Sequence, residues 1–231
     1  MDAQRSQVVR LNFAEYTQLS EGVNDPSIFK AVFMAGGPGS GKSFVVGKTS
    51  LMSLGFKLVN SDVAYERALA KADLEPTPQN IFSPIGQQIR DRSKALTKNM
   101  QTSYLRGRLG LVIDGTGKDF SKISSQKKQL ESQGYDTMMI FVNADLESTL
   151  RRNAERDRSL TDDVVTKMWK EVQNNIGKFQ SIFGARLIIV DNSDEANVDK
   201  ATMRAYKFVK GWSKEAPSNR VAKQWLKSNA K

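Results

Sequence analysis

The chain has 231 residues, 39% of them hydrophobic, and carries 35 Lys and Arg against 25 Asp and Glu, a formal charge of +10. That much apolar content fills a core and excludes a disordered polyelectrolyte. The absence of His and Cys excludes an imidazole base, a thiolate nucleophile and the usual zinc ligands, leaving carboxylate, Lys or Tyr for proton transfer. A metal here is expected to be a hard cation on oxygen, magnesium above all. No apolar run approaches the roughly 20 residues of a membrane span. The opening "MDAQRSQVVRLNF" has no apolar core of a secretory leader, so a soluble, cytoplasmic protein is expected. The positive balance suits anionic partners (nucleotides, phosphorylated small molecules, nucleic acid), or else serves solubility alone.

Residues 1–27 are polar and irregular and read as a flank. "IFKAVFM" (28–34) predicts a first strand, residues 43–54 a helix closed by Gly55, and "FKLVN" (56–60) a second strand. A helix is expected over 62–71, a loop with three prolines in "DLEPTPQNIFSPIG", and a longer helix to about Arg106. "LGLVID" (109–114), "TMMIFVN" (137–143) and "ARLIIVD" (185–191) predict three more strands. They are separated by a helix at 119–133, an Arg-rich helix or lid at 146–158 and a further helix at 161–182. Five apolar strands alternating with helices predict an α/β fold, a mostly parallel sheet between helical layers. The domain is expected at 28–192, followed by a basic helical extension at 193–231. The apolar residues Met203, Tyr206, Phe208, Val209, Trp212, Val221, Trp225 and Leu226 read as docking that extension on the body, with a nucleic-acid patch as the other reading.

"GGPGSGKS" (36–43) fits G-x-x-x-x-G-K-[ST] and lies between a predicted strand and a predicted helix, the context that gives the motif meaning. Glycines let successive backbone N–H groups turn inward, so Gly37, Pro38, Gly39, Ser40, Gly41, Lys42 and Ser43 form a candidate triphosphate cradle. Lys42 is expected on the β- and γ-phosphates and the Ser43 hydroxyl on Mg²⁺, with ATP, or GTP, as the nucleotide.

Three further groups surround this P-loop. Asp62, in "LVNSDVAYER", follows the second strand, where open α/β sheets place ligands; it reads as the base for an acceptor hydroxyl or as a helix cap, like Asn60 and Ser61. Asp114, Thr116 and Lys118 lie in "LVIDGTGKD" after the next strand. Asp114 can hold magnesium-bound water or the acceptor, Thr116 and Lys118 acceptor polar groups, and a plain turn also explains Gly115 and Gly117. "LRRNAERDR" places Arg151, Arg152, Arg156 and Arg158 together, as a phosphate clamp or as a solvated helix face.

With these residues the chain resembles the zeta-toxin and polynucleotide-kinase group of P-loop kinases, many of them encoded by bacteriophages or plasmids. The likeness runs over about 28–192 and rests on "GGPGSGKS", the Asp of "NSDVAYER", "IDGTGKD", the "GY" before the fourth strand and the Arg-bearing lid. The resemblance implies ATP at the first motif, a catalytic Asp62, acceptor contacts from Asp114, Thr116 and Lys118, and lid arginines Arg152 and Arg156, with Arg158 next. Asp114 stands where zeta toxins have Glu, and "TGK" lacks the Asn that often follows Thr in polynucleotide kinases, so the substrate does not transfer from either branch. The expected activity is ATP-dependent phosphoryl transfer to a hydroxyl of a nucleotide, nucleotide-sugar or polynucleotide, in the host cytoplasm for a phage-encoded protein. The alternative is a nucleotide-dependent switch or ATPase. Arg90, Arg92, Lys94 and Lys98 form a basic helix that would suit a polynucleotide.

Overall fold

The computed structural model describes residues 23–155, 159–193 and 195–230. Strand β1 (Lys30–Ala35) is buried along its whole length. Successive strand side chains point to opposite faces, so Ala31, Phe33 and Ala35 join one apolar cluster while Val32 and Met34 join the other. Strands β2 (Lys57–Val59), β3 (Leu111–Asp114), β4 (Asp136–Asn143) and β5 (Leu187–Asp191) complete the sheet. The order is β2-β3-β1-β4-β5 and every pairing is parallel, with Met34 opposite Asp114, Ala35 opposite Phe141 and Asn143 opposite Asp191. This is the P-loop kinase fold. Because β1 connects to β2 on one side while the adjacent β3 connects to β4 on the other, the carboxyl ends of β1 and β3 form the topological switch point, the crevice where open α/β sheets bind ligands.

The helices are α1 (Lys42–Lys48), α2 (Ser61–Lys71), α3 (Pro78–Phe82), α4 (Pro84–Arg106), α5 (Phe120–Ser132), α6 (Leu146–Ala154), α7 (Asp162–Gln173), α8 (Ile176–Phe183), α9 (Glu195–Lys214) and α10 (Arg220–Asn229). They depart from the sequence pattern in three places. The first helix is shorter than 43–54: the chain leaves α1 at Lys48, Ser50 turns into the left-handed region, and a 3-10 turn takes Leu51–Leu54. Within the proline-rich stretch Thr77 caps α3 and Ser83 caps α4, each with proline at the first helical position, where a missing N–H costs nothing. The helix expected over 161–182 is two, broken at Asn174 and Asn175.

One sheet face packs against α5, α7, α8 and α10, and the other against α1 and α9. Ala205, Val209 and Trp212 of α9 lie buried among Val32, Met34, Met138 and Ile140, and the Trp212 ring stacks on Phe56 at 6.5 Å. The link to α10 crosses the amino end of the sheet. There Ser218 and Asn219 bind the Asp136 carboxylate, which also pairs with buried Lys30 at 3.0 Å. Among the described residues no helix is long and apolar enough to cross a membrane.

Candidate active site

The P-loop leaves β1 at the switch point and is held from three sides. Gly36 N–H donates to the Thr116 carbonyl at 3.1 Å. Gly39 and Gly41 have φ of +75° and +84°, the left-handed region that glycine tolerates. Neither position has room for a side chain: a Cβ on Gly39 would lie 2.5 Å from the Thr149 carbonyl oxygen, and one on Gly41 2.2 Å from Asn192 Nδ2. Helix α6 and the segment after β5 therefore grip the loop. Lys42 Nζ arches back over it, donating to the Gly36 and Gly37 carbonyls at 2.6 and 3.2 Å. Ser43 stands exposed in the first turn of α1, and the Ser40 hydroxyl is buried with no hydrogen-bond partner among the described residues.

The parallel sheet brings the ends of β2 and β3 to the same crevice. Asn60, rather than Asp62, caps α2: its Oδ1 accepts from the N–H groups of Asp62 and Val63 at 2.7 and 3.4 Å. Its Nδ2 donates to Asp114 Oδ2 at 2.7 Å. Asp62 is exposed in the first helical turn. Asp114 Oδ1 is buried without a hydrogen-bond partner among the described residues. Burial is the largest influence on Asp114 and pushes its carboxyl above the ordinary range. The Asp62 charge pushes the same way, while Lys42, the Asn60 amide and the Gly115 N–H pull against them. Lys42, Asn60, Asp62 and Asp114 thus form one electrostatic unit.

Thr116 is half-buried, with its carbonyl engaged by Gly36. Asn175, at the break between α7 and α8, donates to the carbonyls of Gly117 and Lys118 at 3.0 and 2.8 Å and fixes that loop. The Lys118 side chain is exposed and forms no ion pair with Asp62 or Asp114 among the described residues. On α6, Thr149 and Arg152 are one turn apart, and Thr149 Oγ1 and Arg152 Nη1 are both buried without hydrogen-bond partners among the described residues. Arg156 and Arg158 lie outside the described residues. The Asn153 side chain spans that stretch, bonding the Leu160 carbonyl at 2.7 Å and the Leu160 N–H at 3.1 Å.

The residues that sequence reasoning missed are mostly asparagines. Asn192 is buried, donates to the Ser40 carbonyl at 2.8 Å and receives nothing from the motif pattern that would announce it. Its backbone N–H donates to Asn143 O, and the next residue, Ser193, accepts from Asp145 N–H at 2.9 Å. Asp145 caps α6. The Ser148 N–H is the chief reason its carboxyl sits below the ordinary range, with the Ser148 and Ser193 hydroxyls adding to it. The only available signal was position: each of these residues follows the carboxyl end of an apolar strand.

The donor set suits a hard cation. Asp114 offers a buried oxygen that has no partner among the described residues, and Ser43 a hydroxyl. Among the described residues no cluster of three carboxylates is present. Magnesium here would therefore rest on Ser43, Asp114 and the oxygens of a nucleotide.

A glycine-rich loop on the central strand of a five-stranded parallel sheet, with strand-end carboxylates beside its lysine, defines a P-loop nucleotide-binding protein of the kinase fold. The chain belongs to the AAA domain family, whose model matches residues 32–178. It is similar in structure to the PezAT chromosomal toxin–antitoxin system of Streptococcus pneumoniae (TM-score 0.57, 14% identity, covering 87% of this chain and 94% of that one). The AvrRxo1-ORF1:AvrRxo1-ORF2 complex, solved with sulphate ions and with ATP, is also similar; the ATP structure matches at TM-score 0.54 and 17% identity. That match covers 76% of this chain, which spans 58% of the length of the chain it matches. The Pnkp1/Rnl/Hen1 RNA repair complex matches at TM-score 0.50 and 17% identity, over 65% of this chain and 46% of that one. No curated protein matches the sequence.

Proposed function

We propose that the protein is an ATP-dependent kinase that transfers the γ-phosphoryl group to a hydroxyl of a nucleotide, nucleotide-sugar or polynucleotide. The observation that carries this reading is that the parallel sheet brings Asp114 and the Asp62 helix to the P-loop lysine Lys42, with the Asn60 amide bonding the Asp114 carboxylate and capping the helix that carries Asp62. Residues 37–43 hold the triphosphate, and Lys42 neutralises its β- and γ-oxygens. Ser43 and Asp114 hold magnesium, which when bound draws charge from the phosphate oxygens. Asp62, exposed on the open side of the pair, takes the proton of the acceptor hydroxyl. The hydroxyl oxygen bonds to the γ-phosphorus, the bond to the β–γ bridging oxygen breaks, and ADP leaves with that electron pair. Arg152, joined by Arg156 and Arg158, binds the transferring group from the lid side, and Thr116 and Lys118 bind the acceptor.

The test is incubation with γ-labelled ATP and a panel of 5′-hydroxyl oligonucleotides, hydroxymethylated DNA, nucleoside monophosphates and UDP-sugars. Label is expected on one acceptor class. Asp62→Asn should abolish that transfer while ATP still binds, and Lys42→Ala should weaken both. Label appearing only as free phosphate, with Asp62→Asn unchanged, would replace the kinase with a switch or ATPase.

A further inference from the structure

We infer that the outward face of α9 is a docking surface for the phosphate backbone of double-stranded DNA. Between residues 200 and 214 the chain has five cations, Lys200, Arg204, Lys207, Lys210 and Lys214, and no Asp or Glu. All five are exposed. Steps of four, three and seven residues set Lys200, Arg204, Lys207 and Lys214 on one helical stripe. That stripe runs about 21 Å at 1.5 Å per residue. The opposite face, with Ala205, Val209 and Trp212, is buried against the sheet, so the cations stand on a helix already fixed in place. Asp199, at the amino-terminal border, is engaged by Lys48 of α1 at 3.2 Å.

The other basic helix is less suited. On α4, Arg90 stacks over the Tyr65 ring at 4.5 Å and Lys94 pairs with Asp91 at 3.6 Å. Exposed apolar side chains lie beside both helices, Leu96 and Met100 on α4 and Met203 and Phe208 on α9, but Lys200, Arg204, Lys207 and Lys214 make no ion pair or ring contact among the described residues.

Shape selects the partner. The face is a convex rod, and its exposed ring, the partly covered Phe208, lies at the margin. Single strands are held by rows of stacking aromatics, which α9 does not present. The B-form major groove admits an α-helix, whereas the deep, narrow groove of duplex RNA does not. Helix α9 also begins beside Asn192 and Ser193, at the P-loop end of the sheet, so a bound duplex would pass the crevice. The inference rests on the charge and shape of α9 and holds for whichever acceptor the enzyme uses.

The test is fluorescence anisotropy of a labelled DNA duplex with the full chain across a series of salt concentrations. Two variants carry equal charge loss: Lys200→Gln/Arg204→Gln/Lys207→Gln on α9 and Arg92→Gln/Lys94→Gln/Lys98→Gln on α4. Wild type should bind with a steep salt slope. The α9 triple should reduce that slope by about 2.7, three contacts at roughly 0.9 each, and weaken binding at least about tenfold at low salt. The α4 triple should change neither by more than about a third of that. Unchanged melting and ATP affinity in both variants would show that the fold and the P-loop are intact, whatever becomes of the kinase reading. No duplex binding by wild type would overturn the inference, as would equal loss in the two triples. Tighter binding of single-stranded DNA or duplex RNA would also overturn it.

Discussion

Asn60 and Asp114 meet across the ends of β2 and β3 through a 2.7 Å hydrogen bond, and the same Asn60 side chain caps the helix that carries Asp62. One amide therefore ties the Asp114 carboxylate to the start of the helix that carries Asp62. Its carbonyl end orders the first turn of α2, while its NH₂ end holds Asp114, whose carboxylate the Lys42 charge also favours.

The two functions of Asn60 separate by substitution. Asn60→Ala loses the cap, about 1 kcal/mol, and releases Asp114. Asn60→Asp keeps a good cap but withdraws the donor and adds a third negative group. Turnover of labelled ATP is expected to fall about 10- to 100-fold in both, the usual effect of removing an outer partner of a site ligand. Thermal melting should recover only in Asn60→Asp. Full turnover in Asn60→Asp would show that the contact with Asp114 is irrelevant to the chemistry.

Asn192 makes a different prediction, because it touches the loop and not the carboxylates. Asn192→Ala leaves the buried Ser40 carbonyl without its donor, a penalty of about 1–3 kcal/mol that the loop relieves by shifting. ATP affinity, measured by isothermal titration, should fall about tenfold or more, and KM for ATP should rise with a much smaller change in kcat. Asn192→Asp preserves the volume but places an acceptor against an acceptor, so it should do no better than alanine. Recovery of affinity in Asn192→Asp would assign the residue a packing role alone.

The strands were legible because parallel strands covered on both faces read as unbroken apolar runs, and the P-loop because its glycines leave a fixed spacing. Strand order was not legible: nothing in "LGLVID" says that β3 enters between β1 and β2. The break between α7 and α8 escaped for a related reason. Asn175 ends the pattern because its side chain is captured by the carbonyls of Gly117 and Lys118, nearly sixty residues away in sequence. Pro78 and Pro84 read as loop markers, yet each opens a helix behind a Thr or Ser cap. At the site, the sequence placed Lys42, Asp62 and Asp114 after the strands that meet in the crevice, and it named Asn60 as a capping type. The bonds from Asn60 to Asp114 and from Asn192 to the Ser40 carbonyl could not be read, since an amide is informative only once its partner is known.

Helix α9 lies after the matched family segment, yet it supplies much of the cover for one sheet face. We propose that 193–231 is part of the folding unit and not a removable appendage. Trp212→Ala removes a ring that is 2% exposed, stacks on Phe56 and lies under the Lys30 ammonium at 4.9 Å. A loss of about 3–5 kcal/mol in urea unfolding is expected, within reach of the whole stability of a domain. A chain truncated after Asp191 should therefore be insoluble or molten, losing near-ultraviolet dichroism. A cooperative melt in the truncated chain would contradict this.

The last prediction concerns acid. Burial alone would raise the Asp136 carboxyl, but the Ser218 hydroxyl and N–H, with Lys30, outweigh it and hold the group below its ordinary value. A carboxyl with a lowered folded value stabilises the native state fully above its unfolded value of about 3.9, and that contribution disappears as the pH falls through the folded value. Urea midpoints should hold through the neutral range and drop below about pH 4, where the link to α10 is tied. Asp136→Asn should flatten that acid limb. It should also cost about 3–5 kcal/mol near neutrality, because Lys30 would be left buried without a counter-charge. Lys30→Met keeps the donors of Ser218 and Asn219 on Asp136, so its neutral loss should be smaller and its acid limb should survive. If Asp136→Asn retains the same drop in acid, the proton is being taken up elsewhere, and the clasp between β4 and the tail is not the acid-sensitive element.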